Sequence, residues 1–279
     1  MKGKVVYITG GSQGIGKAIA LAFAREGASV AISARSKEDV ENAVGEIRAA
    51  GAVCDGYPLD IRDAAAVERA VAAIVAKHGR IDALIACAGI YGPIGPWDKS
   101  GTDLWKETID INLIGTLNAV HAVVPVMKKQ GSGTIITMAG AGVGGRIKPN
   151  MSAYTTSKYA VCGFTEALAL ELREHGISIN AISPGAVNTR LLDQILSAGD
   201  AAGKEFLEAS RKQKETGGTP PDKAAQLALF LCSDAGRGVT GKIISAVWDE
   251  YSSFGARKDR LAGSLYNLRR IDDTLFTEK

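Results

Sequence analysis

Tyr154 and Lys158 are the residues of this chain whose types and spacing best support a reaction. They lie four residues apart inside Ser152–His175, a segment whose pattern predicts a helix that ends at Gly176. Residues i and i+4 share one helix face, so the phenol and the ammonium would lie side by side. A free phenol has a pKa of about 10, and a neighbouring ammonium lowers it by stabilising the phenolate. The pair predicts proton transfer to or from a substrate oxygen, although an ordinary surface pair on a helix has the same spacing.

A glycine-rich run near the N-terminus predicts a second kind of chemistry, the binding of phosphate groups. It reads Thr9-Gly10-Gly11-Ser12-Gln13-Gly14-Ile15-Gly16, and it joins the predicted strand Lys4–Thr9 to the predicted helix Gly14–Glu26. Glycines let the backbone turn sharply and approach a phosphate, and the helix N-terminus offers free N–H groups to the anion. Its position directly after the first strand predicts a dinucleotide-binding loop, although its spacing is GxxxGxG rather than GxGxxG.

Strand and helix patterns alternate along the chain and would position both motifs. The predicted strands are Lys4–Thr9, Ser29–Ser33, Val53–Leu59, Ile81–Ala86, Thr134–Met138, Ser178–Ile182 and Lys242–Val247. The predicted helices are Gly14–Glu26, Ser36–Ala50, Arg62–His78, Thr102–Gln130, Ser152–His175 and Pro221–Cys232. Helical crossovers between strands produce a parallel sheet that is covered on both faces. We therefore expect an α/β, doubly wound Rossmann fold with a mostly parallel seven-stranded sheet.

The composition is that of a globular protein and excludes several classes of function. Hydrophobic residues make up 46% of the 279 residues and charged residues 23%. The net charge is only +3, with no Lys/Arg block, so neither nucleic acid nor a membrane surface is expected as a partner. The cysteines and histidines are scattered, which predicts free thiols and no metal site: Cys54, Cys87, Cys162, Cys232, His78, His121 and His175. With no signal-peptide pattern and no uninterrupted apolar run of membrane-spanning length, we expect a cytoplasmic protein.

Together, these motifs resemble the short-chain dehydrogenase/reductase family from about residue 4 to residue 247. The glycine-rich run matches TGxxxGIG, and Tyr154 with Lys158 matches YxxxK. The segment that starts at Asn112 matches NxxG, and the segment that starts at Pro184 matches PGxVxT. Asp60 matches the acid that contacts the adenine amino group in the family. The motifs occur in the family's order and spacing.

The resemblance implies a role for each matched residue. Tyr154 would give a proton to the carbonyl oxygen in reduction or remove it in oxidation. Lys158 would also bind the nicotinamide ribose, and Asn112 would hold a water of the proton relay. Helices around Asn112 and Tyr154 would pair with a second subunit, giving a homodimer or homotetramer. The expected cofactor contacts are Gly10, Ser12, Gln13, Ile15, Gly16, Arg35, Asp60, Ile61, Ala88, Gly89, Tyr154, Lys158, Pro184, Gly185, Val187 and Thr189.

The end of the second strand favours NADP(H) over NAD(H). An acid there would bind the ribose hydroxyls of NAD, whereas an arginine accommodates the 2′-phosphate of NADP. Here Ala34 stands in the acid's place and Arg35 follows, with Ser33 or Ser36 as helpers. Gln13 also stands where NADP-preferring relatives often carry a base. In the alternative interpretation, Arg35 stacks on the adenine and makes no phosphate contact.

One member of the family's catalytic set has no match. The family places a serine at the end of the fifth strand, where it hydrogen-bonds the substrate oxygen, and that position is Gly140 here. Its loss removes one donor to the reacting oxygen. Backbone N–H groups of the turn, the Ser152 hydroxyl, or a hydroxyl of the substrate itself are possible replacements. The predicted substrate contacts are therefore Gly140, Ala141, Ser152 and Leu191.

We expect residues 1–248 to form a single domain that includes a substrate lid at about 190–218. Residues 249–279 would be a C-terminal extension that helps to close the site. The lid offers apolar side chains, namely Leu191, Leu192, Ile195 and Phe206. The extension carries Arg257, Lys258, Arg260, Arg269 and Arg270. Either it is a solvated or subunit-packing tail, or Arg269 or Arg270 binds an anionic group of the substrate.

The sequence thus predicts an NAD(P)(H)-dependent oxidoreductase that interconverts a carbonyl and a secondary alcohol. The expected substrate is a polar, hydroxylated or sugar-like molecule. A 3-oxoacyl-type ketone reductase is the alternative within the same class. A cofactor-binding sensor or partner subunit without catalytic activity is the alternative from a different class. Retention of Asn112, Tyr154 and Lys158 argues against the last.

Overall fold

A computed structural model describes residues 1–140, 142–143, 147–257, 261 and 266–268 of the chain. Its strands are β1 (Val5–Thr9), β2 (Ser29–Ala34), β3 (Cys54–Pro58), β4 (Ala83–Ala86), β5 (Gly133–Met138), β6 (Ile177–Ser183) and β7 (Ile243–Ser245). They form one seven-stranded sheet in the order β3-β2-β1-β4-β5-β6-β7, and every neighbouring pair is parallel. The predicted doubly wound α/β fold is confirmed.

Helices cover both faces of this sheet. They are α1 (Gly14–Arg25), α2 (Lys37–Ala49), α3 (Ala64–His78), α4 (Thr102–Ile109), α5 (Gly115–Gln130), α6 (Ser152–Leu172), α7 (Arg190–Ala198), α8 (Lys204–Thr216) and α9 (Asp222–Leu231). Successive residues of a strand point to opposite faces, so β1 sends Ile8 into one apolar cluster and Tyr7 into the other. Helices α1, α2 and α9 contribute to the first cluster, and α3, α5 and α6 contribute to the second. Burial on both sides explains the nearly continuous apolar strands of the sequence.

The strand order places a crevice at the carboxyl ends of β1 and β4. Strand β2 lies on one side of β1 and β4 on the other, so the chain winds outward in both directions from this point. Ligands of doubly wound sheets bind where the order reverses in this way. The glycine loop leaves β1 at this edge, and the segment Cys87–Gly89 leaves β4 beside it. The fold therefore brings the glycine loop and the segment after β4 to one edge of the sheet.

The predicted helix Thr102–Gln130 is continuous but not uniform. A π-helical turn, Asp110–Ile114, separates α4 from α5. By length and composition this stretch resembles a membrane-crossing helix, as buried core helices often do, and 39% of its most apolar window is buried in the protein. A π turn inserts one extra residue and is frequent at functional sites. It contains Asn112, one of the predicted catalytic residues.

Most element ends differ from the prediction by one to three residues, and for α3 and β7 a side-chain hydrogen bond explains the difference. Helix α3 begins at Ala64 instead of Arg62, since the carboxylate of Asp63 accepts a hydrogen bond from Ala66 N at 3.0 Å. Strand β7 is shorter than predicted, since Ser245 N donates to the Asp249 carboxylate at 2.7 Å and the chain turns there. The predicted cap of α2 is confirmed, with Ser36 Oγ accepting from Asp39 N.

Candidate active site

Tyr154 and Lys158 lie side by side in α6, as their spacing predicts. Both are buried, and the Lys158 Nζ is 5.7 Å from the centroid of the Tyr154 ring. Burial lowers the pKa of Lys158. Two thiols flank the ammonium, and burial raises the pKa of Cys87 to about 11 and that of Cys162 to about 12. These neutral thiols do not compensate the charge of Lys158 at neutral pH.

Asn112 is fixed beside this pair by three hydrogen bonds. Its Oδ1 accepts from Ile90 N at 2.8 Å, and its Nδ2 donates to Ile90 O at 2.8 Å and to Ser157 Oγ at 2.9 Å. Ser157 Oγ in turn donates to the carbonyl oxygen of Tyr154 at 2.7 Å. A Cβ built at Gly89 would stand 3.1 Å from Asn112 Oδ1 and 3.6 Å from Lys158 Nζ. The loop after β4, the π turn and α6 thus meet at one point.

Gly140 packs its backbone directly against the catalytic pair. A Cβ at this position would stand 2.5 Å from Lys158 Cγ and 2.9 Å from Tyr154 Oη. Such contacts are too short to persist unless one of the buried side chains moves. The turn is held on its other side by Tyr159, whose hydroxyl donates to Gly142 O at 2.9 Å. Position 140 therefore adjoins Tyr154, as expected, but the packing leaves no space for a serine. Ala141 lies outside the described residues.

Tyr91 is a site residue that sequence reasoning missed. Its ring meets the Tyr154 ring edge-on, with centroids 4.6 Å apart and planes at 70°. Burial raises the pKa of Tyr91. The ring also packs against an apolar cluster built mainly from the lid, with Ile94, Leu192, Ile195, Leu196 and Phe206 among its members. An aromatic residue two positions beyond the Ala88-Gly89 pair was the available signal, because that segment leaves β4 at the crevice.

Two of the predicted substrate contacts lie farther from the Tyr154 phenol. Ser152 is the exposed first residue of α6, and its hydroxyl accepts a hydrogen bond from Trp105 Nε1 at 3.3 Å. Residues two positions apart on a helix point in nearly opposite directions, roughly 200° apart. Leu191 is half-buried on α7, whereas its neighbour Leu192 is buried within the lid cluster. The apolar face of the lid is therefore formed by Leu192, Ile195 and Phe206 as predicted, without Leu191 in the cluster.

The glycine loop has the geometry that a pyrophosphate requires. Gly10 has a φ of 66°, and a Cβ there would stand 2.8 Å from Ala88 Cα. A Cβ at Gly16 would collide with the carbonyl oxygen of Gly10. Helix α1 starts after Gln13 without a side-chain cap and without an acid in its first turn. Its first N–H groups are left for an anion, so the loop fits a dinucleotide.

The other predicted cofactor residues gather around this loop. Thr189 faces it, since a Cβ at Gly14 would stand 3.2 Å from Thr189 Cγ2. Gly185 has a φ of 87°, and Val187 forms an isolated bridge with Gly218 of the lid. The remaining positions are also at this edge: Ser12 is buried, whereas Ile15, Ala88, Gly89 and Pro184 are partly buried.

Asp60 and Ile61, two of the predicted cofactor contacts, are held in place by neighbouring side chains. The Arg62 guanidinium binds both carboxylate oxygens of Asp60 and holds the pKa of that carboxyl below its usual value. Ile61 is buried against Gly115, where a Cβ would come within 2.6 Å of the Ile61 side chain. Asn118 Nδ2 donates to Ile61 O at 3.0 Å. Gly115, the glycine of the NxxG motif, therefore lets the loop that carries Asp60 and Ile61 pack closely on α5.

Of the two serines considered as helpers of Arg35, Ser33 is turned into the core. Ser33 is buried, and its hydroxyl is 2.9 Å from Tyr7 Oη inside the core, so it does not face a ribose phosphate. Strand alternation places Ser33 on the same face as buried Ala31. Arg35 and Ser36 are exposed at the end of β2, as the prediction requires. Nearby, Arg190 at the start of the lid forms an ion pair with Asp39 of α2 at 3.1 Å.

The described part of the C-terminal extension does not lie at Tyr154. Ile243 N donates to Tyr266 O at 2.7 Å, and Leu268 N donates to the Glu166 carboxylate at 2.6 Å. Glu166 is twelve residues beyond Tyr154, roughly 18 Å along α6. This segment covers the outer edge of β7. Four of the basic residues considered as substrate contacts or tail charges lie outside the described residues: Lys258, Arg260, Arg269 and Arg270.

Comparisons with known proteins agree with this geometry. Residues 4–199 match the family model for short chain dehydrogenase. A 3-oxoacyl-acyl-carrier-protein reductase from Thermotoga maritima is 35% identical over 244 residues, which cover 88% of this chain and 96% of that protein. A cyclohexanol dehydrogenase from a Rhodococcus species is 36% identical over 264 residues, covering 88% and 94%. An NAD+-bound xylitol dehydrogenase structure is 30% identical, with a TM-score of 0.81 and coverage of 88% and 97%.

The chain belongs to the short-chain dehydrogenase/reductase family. Its members are NAD(P)-dependent oxidoreductases, and this chain is one of them. Similar solved structures include complexes with NADPH and with NADH, so family membership alone does not determine which cofactor this chain prefers.

Proposed function

We propose that this short-chain dehydrogenase interconverts a ketone and a secondary alcohol at Tyr154. The observation that carries the proposal is the buried pair of Tyr154 and Lys158, joined to Asn112 at the mouth of the glycine-loop crevice. In reduction, Tyr154 gives its proton to the carbonyl oxygen, and in oxidation it takes the proton from the alcohol. A bound dinucleotide would supply or accept the hydride.

Lys158 favours proton release from Tyr154. Its ammonium stabilises the phenolate that remains when Tyr154 has given up its proton. Among the described residues, no carboxylate or other group forms a hydrogen bond or ion pair with this ammonium. Its charge is therefore directed to the phenolate and to hydroxyls of the nicotinamide ribose. Asn112 holds the loop at Ile90 against α6, and a second lone pair on its Oδ1 suits a water of the relay.

The residues at the ribose end favour NADP(H). Ala34 cannot accept a hydrogen bond from ribose hydroxyls, whereas the exposed Arg35 can bind a 2′-phosphate. The Asp60 carboxylate is paired with Arg62. Ser36 caps α2 through its hydroxyl oxygen, which leaves its hydroxyl hydrogen for a phosphate.

The wall beside Tyr154 favours a substrate with an apolar body. The partly buried rings of Tyr91 and Phe206 belong to one apolar cluster on that side, and the buried side chains of Leu192 and Ile195 form its interior. We therefore favour a compact, mostly apolar ketone or alcohol over the sugar-like substrate expected from sequence. Likeness to the xylitol dehydrogenase structure keeps a polyol as the second candidate. A 3-oxoacyl thioester is the third, on the strength of the Thermotoga relative.

We further infer a homodimer or homotetramer in the cytoplasm. Two large apolar side chains lie exposed on the long helices near the site, Ile114 beside α5 and Leu170 on α6. Covering such side chains with a second copy would remove apolar area from water. Light scattering at micromolar concentration tests the assembly, and a monomer would contradict it.

Cofactor binding measured beside turnover tests the proposed function. NADPH and NADH titrations are followed by assays with cyclohexanone, xylitol with the oxidised cofactor, and acetoacetyl-thioester. We expect tighter binding of NADPH and the highest kcat/KM with cyclohexanone. Preference for xylitol would return the sugar-like substrate to first place. Cofactor binding without turnover of any carbonyl or alcohol would instead favour a sensor or partner subunit.

A further inference from the structure

Reduction of a ketone develops negative charge on its oxygen, and Tyr154 supplies one hydrogen bond to that atom. Enzymes stabilise such an oxygen with further donors that are already in position. Gly140 has no side chain that could donate. A larger residue does not fit there either, because its Cβ would stand 2.5 Å from Lys158 Cγ and 2.9 Å from Tyr154 Oη. A second side-chain donor must come from a different segment.

Three other hydroxyls near Tyr154 in α6 have partners within the protein. Ser157 Oγ donates to Tyr154 O and accepts from Asn112. Tyr159 Oη donates to Gly142 O, and Ser152 is paired with Trp105 on the outside of the helix. The hydroxyl hydrogens of Ser157 and Tyr159 are therefore already used, and Ser152 points away from Tyr154 along the helix.

Tyr91 differs from all of them. Its ring lies 4.6 Å from the Tyr154 ring, yet no hydrogen bond of the described residues uses its hydroxyl. In the described part of the chain, every fully buried side-chain oxygen has a hydrogen-bond partner. The Tyr91 hydroxyl has no such partner, so it must be at least partly accessible to solvent. The ring is fixed between Tyr154 and the lid cluster. A fixed phenol with an unused hydroxyl therefore borders the reacting site.

We infer that the Tyr91 hydroxyl donates a hydrogen bond to the reacting oxygen of the substrate and takes over the task that position 140 cannot perform. This inference rests on the proposed function, in which Tyr154 is the proton donor. Burial raises the pKa of Tyr91, so the phenol stays protonated at neutral and mildly alkaline pH and acts as a donor, not a base. The same ring packs against the lid cluster, which helps to fix the position of the donor.

Tyr91→Phe tests the inference, since it removes the hydroxyl and keeps the ring that packs on Tyr154. With NADPH and the best ketone of the panel, we expect kcat to fall about 10²-fold, the usual effect of losing one such donor. The dissociation constant of NADPH and the thermal midpoint should not change. Tyr57→Phe is the matched control, because Tyr57 is another half-buried tyrosine whose pKa is raised by burial, on strand β3. It should keep the parent kcat.

Two further variants separate the possible failures. Ile94→Ala removes lid packing but no hydroxyl, so it should raise KM more than it lowers kcat. If Tyr91→Phe does the same, or keeps kcat within about twofold of the parent while Tyr154→Phe is inactive, Tyr91 is only a packing residue and the inference is overturned. If Tyr154→Phe remains active, or the parent turns over no ketone at all, the proposed function fails and the inference fails with it.

Discussion

The cofactor side and the substrate side of this crevice are built in different ways. On the cofactor side, the contacts expected for phosphates come from backbone N–H groups of the loop Gly10–Gly16 and the start of α1. On the substrate side, Tyr154 contacts the Tyr91 ring from the loop after β4 and the backbone of Gly140, and the lid packs against Tyr91. The cofactor side depends on the positions of its glycines. The substrate side depends on which side chains line it.

The difference explains why one side matches the family pattern and the other departs from it. A pyrophosphate is the same for every dinucleotide enzyme, so the backbone cradle that fits it is unchanged. Substrates differ, and their site can lose a residue such as a serine at position 140 if another side chain performs its task. In the proposed mechanism, Lys158 lies at the boundary, because it would serve both the ribose and the phenol.

Removal of Lys158 should have the largest effect, because it damages both sides at once. We expect Lys158→Ala to lower kcat by about 10²–10⁴-fold, the range of general acid–base catalysis. Cofactor binding should weaken as well, measured by fluorescence titration. Lys106→Ala is the control, since Lys106 is exposed on α4 and pairs only with Asp103 in the described part of the chain. Cofactor affinity that stays at the parent value would remove Lys158 from the cofactor side.

A serine introduced at position 140 tests whether the substrate side is already filled. Gly140→Ser should lower kcat at least about tenfold, because its Cβ would press on Lys158 Cγ and Tyr154 Oη. NADPH binding should change less than kcat. Gly45→Ser is the matched control, since nothing lies within 4 Å of a Cβ at that exposed position of α2. A gain in kcat would show that the site lacks a donor and that Tyr91 does not replace it.

Cofactor preference tests the one side-chain contact on the cofactor side. Arg35→Ala should cost about 1–3 kcal/mol of NADPH binding, the scale of hydrogen bonds to charged groups. NADH binding should remain nearly unchanged. Arg25→Ala, at the exposed end of α1, should alter neither. Equal affinity of the parent protein for NADPH and NADH would refute the preference.

The sequence was sufficient for the cofactor side because spacing dictates backbone geometry there. Gly10 and Gly16 stand where a Cβ would collide, and the spacing of Tyr154 and Lys158 puts them on one face of α6. The substrate side was not predictable in the same way. Tyr91 reaches Tyr154 from a segment 63 residues earlier, and only the tertiary packing brings the two rings together.

The choice between the two serines near Arg35 has a local structural basis. Ser33 was expected near the ribose, but strand alternation turns its side chain into the core beside Tyr7. The docking of Tyr266–Leu268 beside β7 had no comparable signal, because it depends on hydrogen bonds from Ile243 and to Glu166 that no periodicity encodes.

The smallest effect is expected at a surface ion pair between the lid and α2. Arg190 of the lid pairs with Asp39 of α2, and both side chains are partly exposed to solvent. Such pairs contribute about 0–1 kcal/mol and are screened by salt. Asp39→Asn should therefore change NADPH affinity by less than about fivefold at low salt, and not at all in molar salt. Asp103→Asn, on an almost fully exposed aspartate, is the control. A larger effect at high salt would make this pair part of the binding site.

Tyr154→Phe gives the most direct test of the central claim, that the cofactor and substrate sides are separable and that proton transfer belongs to Tyr154. NADPH binding and ketone reduction are measured on the same preparation of this variant. We predict an NADPH dissociation constant within about threefold of the parent value and turnover reduced by about 10²–10⁴-fold. A variant that binds NADPH and still reduces the ketone at a rate near that of the parent would contradict the account.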